Sequence, residues 1–405
     1  MMVNKNRKLR ALVVVGAGAS VEYGIPATTQ LGALIEVGVA ADRYCAKVGG
    51  VDVYRDVKTA LEGYYDGNSS EAHFERIYHV MRELHALHRT PRAVPKFSPV
   101  MLPFLNKQKN YSQESLQAAC QTMLAVIYKE ASTICDNPKK PLKSLESFFS
   151  QLEEHFLPRV YTTNYDDFIG QATDDRYFTG FTRSRGTHAL FDPHSYWSHW
   201  DDPALFHVHG SVHMGFPLPQ DGCEIGELAW YPSRAEALKR SGFNGSSLGR
   251  MDGTGIERSA IITGLDKLGR LQQMPYGLYY AGLSRDAMEA DVVFILGSGL
   301  ADLHLNTWLR EARRHKQRLP LLYVGYWPGD TTELFSRFHF DYEDQEIALF
   351  HDLRIDLANV PESHFKEASG WTIDAHKTAA VWADGFQAFL SHPDALAGAM
   401  KEIGV

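Results

Sequence analysis

Short strand-forming runs recur along the chain at residues 12–15, 160–163, 205–208, 292–296 and 321–325, the first of them continuously apolar and β-branched. A run without polar alternation is the pattern of a strand covered on both faces, as in a parallel sheet. Each run ends in a turn rich in glycine or small polar residues, and most lead into helical spacing. Helical periodicity also marks residues 145–156, 71–88 and 115–133. The last two lie between the first and second runs, in a connection too long for a simple crossover. The pattern therefore predicts an open α/β sheet with a helical insertion at about residues 45–150. Pro91, Pro95, Pro99 and Pro103 mark an exposed bend within that insertion. Residues 177–203, rich in aromatic and turn residues, read as a long loop or small lobe, and residues 242–255 as a mobile Gly/Ser loop. The main domain is expected to run over residues 1–350. Residues 351–405 are expected to form a C-terminal extension packed on it, with 378–390 as a closing amphipathic helix.

Composition narrows the class. The 405 residues are 44% hydrophobic and 22% charged, with a net charge of −8. An acidic balance argues against a broad nucleic-acid or anionic-membrane surface, so neither partner is expected. Cys45, Cys120, Cys135 and Cys223 form no CxxC pair, which fits free thiols in a reducing compartment rather than a zinc knuckle. Basic residues at 4–10 precede an apolar run at 11–15. That run falls short of the roughly 7–15 residues of a secretory h-region. No stretch approaches the ~18 apolar residues of a membrane span, and the expected location is the cytoplasm.

Candidate chemistry sits at four strand ends. Gly16, Ala17, Gly18 and Ser20 follow the first run, with Ile25 and Pro26 shortly after. A strand, a glycine turn and a helix start can receive a phosphate on unpaired N–H groups, or can simply be a tight turn. The loop lacks the Gly-Lys-Ser/Thr ending of a nucleotide triphosphatase. Thr163, Asn164 and Asp166 follow the second run, where ligands of open α/β sheets bind. Asn164 could equally cap the next helix, with Asp166 in its first turn. After the third run, alternation places His207 and His209 on one face. They read as a general base at His209, as a two-histidine metal pair, or as structural residues. Gly297 and Ser298 open the fourth turn and can offer backbone and hydroxyl donors.

Taken together, Gly16-Ala17-Gly18-Ala19-Ser20 with Gly24-Ile25-Pro26, Thr163-Asn164-Tyr165-Asp166, His209-Gly210-Ser211 and Gly297-Ser298 resemble the sirtuin-like superfamily in order and spacing. The resemblance spans roughly residues 8–330. It implies a Rossmann-like parallel sheet with helices on both faces, and NAD⁺ bound between that sheet and a smaller lobe. By that resemblance Gly16, Ala17, Gly18 and Ser20 would hold the diphosphate, with Ile25 and Pro26 beside it. Thr163, Asn164 and Asp166 would face the nicotinamide ribose. His209 would be the general base, and Gly297 and Ser298 would contact phosphates or the adenosine half.

The chain departs from protein-deacylating sirtuins in ways that change the expected reaction. Only Cys223 follows the His-Gly, where four zinc cysteines would stand, so no metal is expected. Ala27-Thr28-Thr29 replaces Asp-Phe-Arg after Gly-Ile-Pro. The forms His209-Gly210-Ser211 and Gly297-Ser298-Gly299-Leu300-Ala301-Asp302 look like the bacterial antiphage branch, whose members hydrolyse NAD⁺ to ADP-ribose and nicotinamide. The expectation is an NAD⁺ glycohydrolase with Asn164, His209 and Asp166 catalytic. Homo-oligomerisation and a HerA-type hexameric ATPase partner are implied by the same resemblance. The alternatives are a protein deacylase or ADP-ribosyltransferase, a non-catalytic NAD/ADP-ribose-binding module, and a metal-dependent hydrolase using His207, His209 and His213.

Overall fold

The structure, a computed structural model, describes residues 8–67, 71–88, 111–218, 226–242, 258–265, 273–300, 302–326, 353–357, 360 and 370–405. The chain opens with β1 (Leu9–Val15) and a single helical turn, α1 (Gly18–Val21). Five helices follow: α2 (Thr28–Ala41), α3 (Arg43–Lys47), α4 (Gly50–Tyr64), α5 (Phe74–His88) and α6 (Gln113–Asp136). Then come α7 (Lys143–His155), β2 (Phe156–Thr162), α8 (Phe168–Ala172), β3 (Phe181–Ser184), β4 (Ala189–Phe191) and α9 (Pro193–Ser198). Next are β5 (Ala204–His207), β6 (Met214–Gly215), β7 (Ala229–Trp230), α10 (Arg234–Lys239), α11 (Tyr276–Glu289), β8 (Val292–Leu296), α12 (Leu303–His315) and β9 (Leu321–Val324). The C-terminal part adds β10 (Thr372–Ile373), β11 (Ala379–Trp382), α13 (Phe386–Leu390) and α14 (Ala395–Ile403).

All five expected strands join one sheet. Its seven strands run in the order β10-β11-β9-β8-β1-β2-β5, parallel except for β10. Every residue of β8 and all but the first of β1 are buried, as strands covered on both faces must be. The chain moves outward from β1 through β2 to β5, then returns to lay β8 on the other side of β1. The direction of winding thus reverses between β1 and β8. In open α/β sheets, ligands bind outside the carboxyl ends of the strands at such a reversal.

The insertion is helical, as its periodicity predicts. Its longest member, α6, starts at the Ser112 cap, whose hydroxyl accepts from Ser115 N–H at 3.0 Å. It buries Leu116, Ala119, Cys120, Met123, Ile127 and Ala131, a stripe at helical spacing. Tyr128 donates its hydroxyl to the Met214 carbonyl at 2.8 Å, pinning this helix to a second, four-stranded antiparallel sheet, β3-β4-β7-β6. Residues 177–203 thus form part of a small lobe with its own sheet.

One expected element is corrected. Residues 378–390 are not a single helix: Ala379–Trp382 is a strand paired in parallel with β9, and only Phe386–Leu390 is helical. Ala379, Ala380, Val381 and Trp382 are all buried, and Gly385 lies between strand and helix at φ +92°. A fully buried strand and an apolar helical face both read as apolar positions, which periodicity alone does not separate. The expected Pro-rich bend at 91–103 and the Gly/Ser loop beyond residue 242 lie outside the described residues, as does Cys223. Cys45, Cys120 and Cys135 are buried and take part in no disulfide. No helix of the described residues is long and apolar enough to cross a membrane.

Candidate active site

The loops after β1 and β8 touch at the switch point. Gly16 N–H donates to the Leu296 carbonyl at 2.9 Å, and Gly18 N–H to the Gly297 carbonyl at 2.7 Å. A Cβ on Gly16 would stand 2.5 Å from Ser298 Cα. Gly297 adopts φ +59°, and a Cβ there would meet the Ala19 nitrogen at 2.1 Å. Neither position has room for a side chain. The glycines therefore lock two turns together as well as exposing backbone.

This contact refines the expected phosphate site. Ala19 and Ser20 N–H groups bond back to Gly16 and Ala17 carbonyls, so the N–H groups of Gly16, Gly18, Ala19 and Ser20 are all spent within the protein. Exposed Ala17 keeps its N–H out of these bonds. The helix that follows is four residues long, far short of a helix that could sum a large dipole.

A cleft of about 250 Å³ opens beside the paired turns. Of the residues named from sequence, Gly16, Ala17, Ile25, Pro26, Thr163, Asn164, Asp166, His209 and Ser298 line it. Gly18, Ser20 and Gly297 do not; Gly18 and Gly297 bond to each other across the two turns, and Ser20 is held by the Asn164 amide. Ser298 Oγ accepts from Leu300 N–H at 3.2 Å and shapes its own turn.

Asn164 is 8% exposed and does not cap a helix. Its side-chain amide donates to the Gly16 carbonyl at 2.9 Å and to Ser20 Oγ at 2.8 Å. Both N–H donors are used, which leaves Oδ1 as the group it can offer a ligand. Asp166 is 6% exposed. Its Oδ1 accepts from Phe168 N–H at 3.3 Å, while Oδ2 is buried with no hydrogen-bond partner. Burial pushes its carboxyl up to about 6, against the opposing hydrogen bonds from Ser20 and the Phe168 N–H.

The two strand histidines part company. β5 ends at His207, so the alternation expected to carry both onto one face stops there. His207 is buried away from the cleft, its Nδ1 3.2 Å from the Asn164 carbonyl, and burial holds it down at about 4. His209 lies in the turn beyond and lines the cleft. Its Nε2 meets Asp302 Oδ2 at 2.6 Å. Asp302 is also the cap of α12, with Oδ1 accepting from His304 N–H at 3.0 Å and Leu305 N–H at 3.3 Å. A neutral imidazole that donates from Nε2 keeps its lone pair on Nδ1, the tautomer a base needs. His213 is engaged elsewhere, with Asp167 at 2.9 Å and the Tyr231 carbonyl at 2.8 Å. The three histidines do not converge, and the described residues hold no group of three or more metal-ligating side chains.

Sequence reasoning quoted Asp302 within a motif but gave it no role, because an Asp before a helix reads first as a cap. Glu75 of α5 and Glu130 of α6 also line the cleft and were missed. They stand on separate helices of the insertion, and no local pattern links them to the strand ends.

No curated protein matches this chain. Among solved structures, it resembles a Sir2 enzyme studied for mechanism and regulation, at 13% identity and a TM-score of 0.33, covering 86% of this chain and 93% of that one. It also resembles a Sir2 homologue solved in complex with NAD, at 13% identity and a TM-score of 0.35, covering 85% of this chain and 90% of that one. A third is a sirtuin studied for substrate affinity, at 13% identity and a TM-score of 0.33, covering 79% and 84%. Residues 158–343, the stretch that includes Asn164, Asp166, His209 and Asp302, match the family model of the SIR2-like domain.

Proposed function

We propose that the protein binds NAD⁺ in this cleft and hydrolyses its nicotinamide–ribose bond, releasing nicotinamide and ADP-ribose. The observation that carries this reading is the convergence of His209–Asp302, Asn164 and Asp166 on one cleft at the switch point of the sheet. The diphosphate would lie against Ala17 and the Ser298–Gly299 turn, with the nicotinamide ribose toward Asn164.

The chemistry matches the groups present. Nicotinamide leaves NAD⁺ as a neutral molecule from a cationic ring, so no acid is needed to protonate it. The bond breaks through an oxocarbenium-like state on the ribose. Asp166, ionised above about pH 6, places negative charge in a buried setting where it stabilises that cation. Asn164 Oδ1 orients a ribose hydroxyl or the attacking water. His209 takes the proton of that water as it attacks the ribose carbon, and Asp302 holds the imidazole and stabilises the imidazolium formed. Incubating the purified protein with NAD⁺ should yield nicotinamide and ADP-ribose in equal amounts, and the His209→Ala variant should yield neither. Failure of the wild type to bind or consume NAD⁺, alone and with candidate partners, overturns the reading.

The forms His209-Gly210-Ser211 and Gly297-Ser298-Gly299-Leu300-Ala301-Asp302 support a biological setting in bacterial antiphage defence, as an effector that depletes NAD⁺. Such an enzyme must be silent in a healthy cell, which favours control by homo-oligomerisation and by a HerA-type hexameric ATPase. Phage challenge of cells expressing wild type or His209→Ala, with NAD⁺ levels followed, tests the role. Sizing and co-purification test the assembly.

A further inference from the structure

Helix α11 backs the His209–Asp302 pair from behind the cleft lining. Tyr276 and Tyr280 stand one turn apart on one face of it. Tyr276 lies behind the His209 turn: a Cβ on Gly210 would come within 2.9 Å of its hydroxyl. That hydroxyl donates to the Ala260 carbonyl at 2.8 Å, and Ile262 N–H in the same segment donates to the His209 carbonyl at 2.7 Å. Tyr280 lies behind Asp302, with its hydroxyl donating to Oδ2 at 3.5 Å. A buried tyrosine must satisfy its hydroxyl somewhere, and a backbone carbonyl is the ordinary place. Tyr276 and Tyr279 do so, on the Ala260 and Thr179 carbonyls. Tyr280 departs from these neighbours by donating to the carboxylate oxygen that also holds the imidazole. It is 6% exposed and does not line the cleft, so it has no direct route to a ligand. Burial, with the Asp302 carboxylate beside it, pushes the Tyr280 hydroxyl well above the usual phenol range, so it stays a donor.

We propose that Tyr280 is a positioning residue for the general base: its hydroxyl fixes Asp302 Oδ2 against His209 Nε2 and so keeps the imidazole in one tautomer. The inference rests on the hydrolase reading for its effect on rate, and on geometry alone for its effect on the imidazole. Asp302 Oδ1 is tied by the His304 and Leu305 N–H groups at 3.0 and 3.3 Å, which leaves the carboxylate a swing about that oxygen. Donors from His209 and Tyr280 reach Oδ2 from different elements and close that swing. An imidazole that donates from Nε2 keeps Nδ1 for the incoming proton, so loss of the Tyr280 hydroxyl loosens the aim of the base. At 3.5 Å the bond is long, as catalytic hydrogen bonds often are until a substrate is seated. Tyr280 lies outside the cleft lining, so it acts on the rate and leaves substrate affinity alone.

A double-mutant cycle on the full chain tests this with Tyr280→Phe, Asp302→Ala and the two combined. Tyr280→Phe should lower kcat for nicotinamide release about tenfold, at unchanged KM for NAD⁺. Its melting temperature should stay within about 2 °C of the wild type. In the Asp302→Ala background the same change should cost less than about twofold, because the hydroxyl acts through that carboxylate. An equal loss in both backgrounds, or a loss confined to KM or to the melting temperature, overturns the positioning role. A second readout needs no substrate: long-range ¹H–¹⁵N correlations of the His209 ring, identified by their disappearance in His209→Gln. At about pH 8 the wild type should show Nε2 protonated and Nδ1 bare, and Tyr280→Phe should shift or broaden both ring nitrogens. Ring signals that Tyr280→Phe leaves in place overturn the proposal, whether or not NAD⁺ is consumed. A wild type without turnover, whose ring signals still respond to Tyr280→Phe, sinks the hydrolase reading and leaves the positioning role standing.

Discussion

His209 Nε2 lies 2.6 Å from Asp302 Oδ2, although the two residues are 93 positions apart and belong to loops on opposite sides of β1. One carboxylate does two jobs through its two oxygens, capping α12 with Oδ1 and holding the imidazole with Oδ2. The substitutions Asp302→Asn and Asp302→Ala separate these jobs. Asparagine preserves the cap and removes the charge, so nicotinamide release should fall about 10²-fold at a nearly unchanged melting temperature. Alanine should show the same kinetic loss and a further loss of about 1 kcal/mol of stability from the lost cap. Release rates together with thermal scans read both effects.

Asn164 is a structural tie as well as a site residue. Replacing it with alanine leaves the Gly16 carbonyl and Ser20 hydroxyl without the amide that pairs them. Asn164→Ala should therefore abolish turnover and also cost about 1–3 kcal/mol of stability. Denaturant melts alongside NAD⁺ consumption check this; a variant that is inactive at full stability would show that the amide bonds carry no weight.

Asp166 makes stability and activity respond to pH in opposite senses. Its carboxyl titrates near 6 in the fold against 3.8 ordinarily. Between those values the native state holds a proton the unfolded chain has released, so stability falls as pH rises through this window. Above about pH 6 the penalty is complete, at most roughly 3 kcal/mol. Asp166→Asn should raise the melting temperature at pH 7.5, and the gain should vanish near pH 4. Turnover by the wild type should decline as pH drops below about 6, and the variant should be slower by about 10²-fold at pH 7.5.

Gly16→Ala tests the contact between the turns. The new methyl would collide with Ser298 backbone rather than with a movable side chain. The loops must separate, at a cost of about 1–3 kcal/mol, and NAD⁺ affinity should fall with them. Calorimetric titration against the wild type measures the loss.

The sheet was legible because its strands are buried on both faces and so read as short, mostly apolar runs ending in glycine or small polar residues. Residues 292–296 match β8 as observed, and 205–208 differs from β5 by one residue at each end. Strand β11, between β10 and β9, was not legible, since an Ala-rich buried strand beside a short helix mimics one longer helix. At the site, Asn164 and His209 were visible from their places at strand ends. Their actual partners, Gly16, Ser20 and Asp302, were not, because hydrogen bonds between distant loops leave no periodic trace. Glu75 and Glu130 were hidden for the same reason: they reach the cleft only when the insertion folds across the strand ends.

The central place of β1 also governs when the protein can act during its own synthesis. β1 is made first, yet its neighbours β2 and β8 begin at Phe156 and Val292. The partner of His209 arrives later still, at Asp302. At typical translation speeds, Asp302 follows β1 by roughly 15–60 s. Throughout that interval a nascent chain carries Asn164 and then His209 without a completed sheet or an oriented base. If the protein hydrolyses NAD⁺ as proposed, that activity is withheld from every half-made copy.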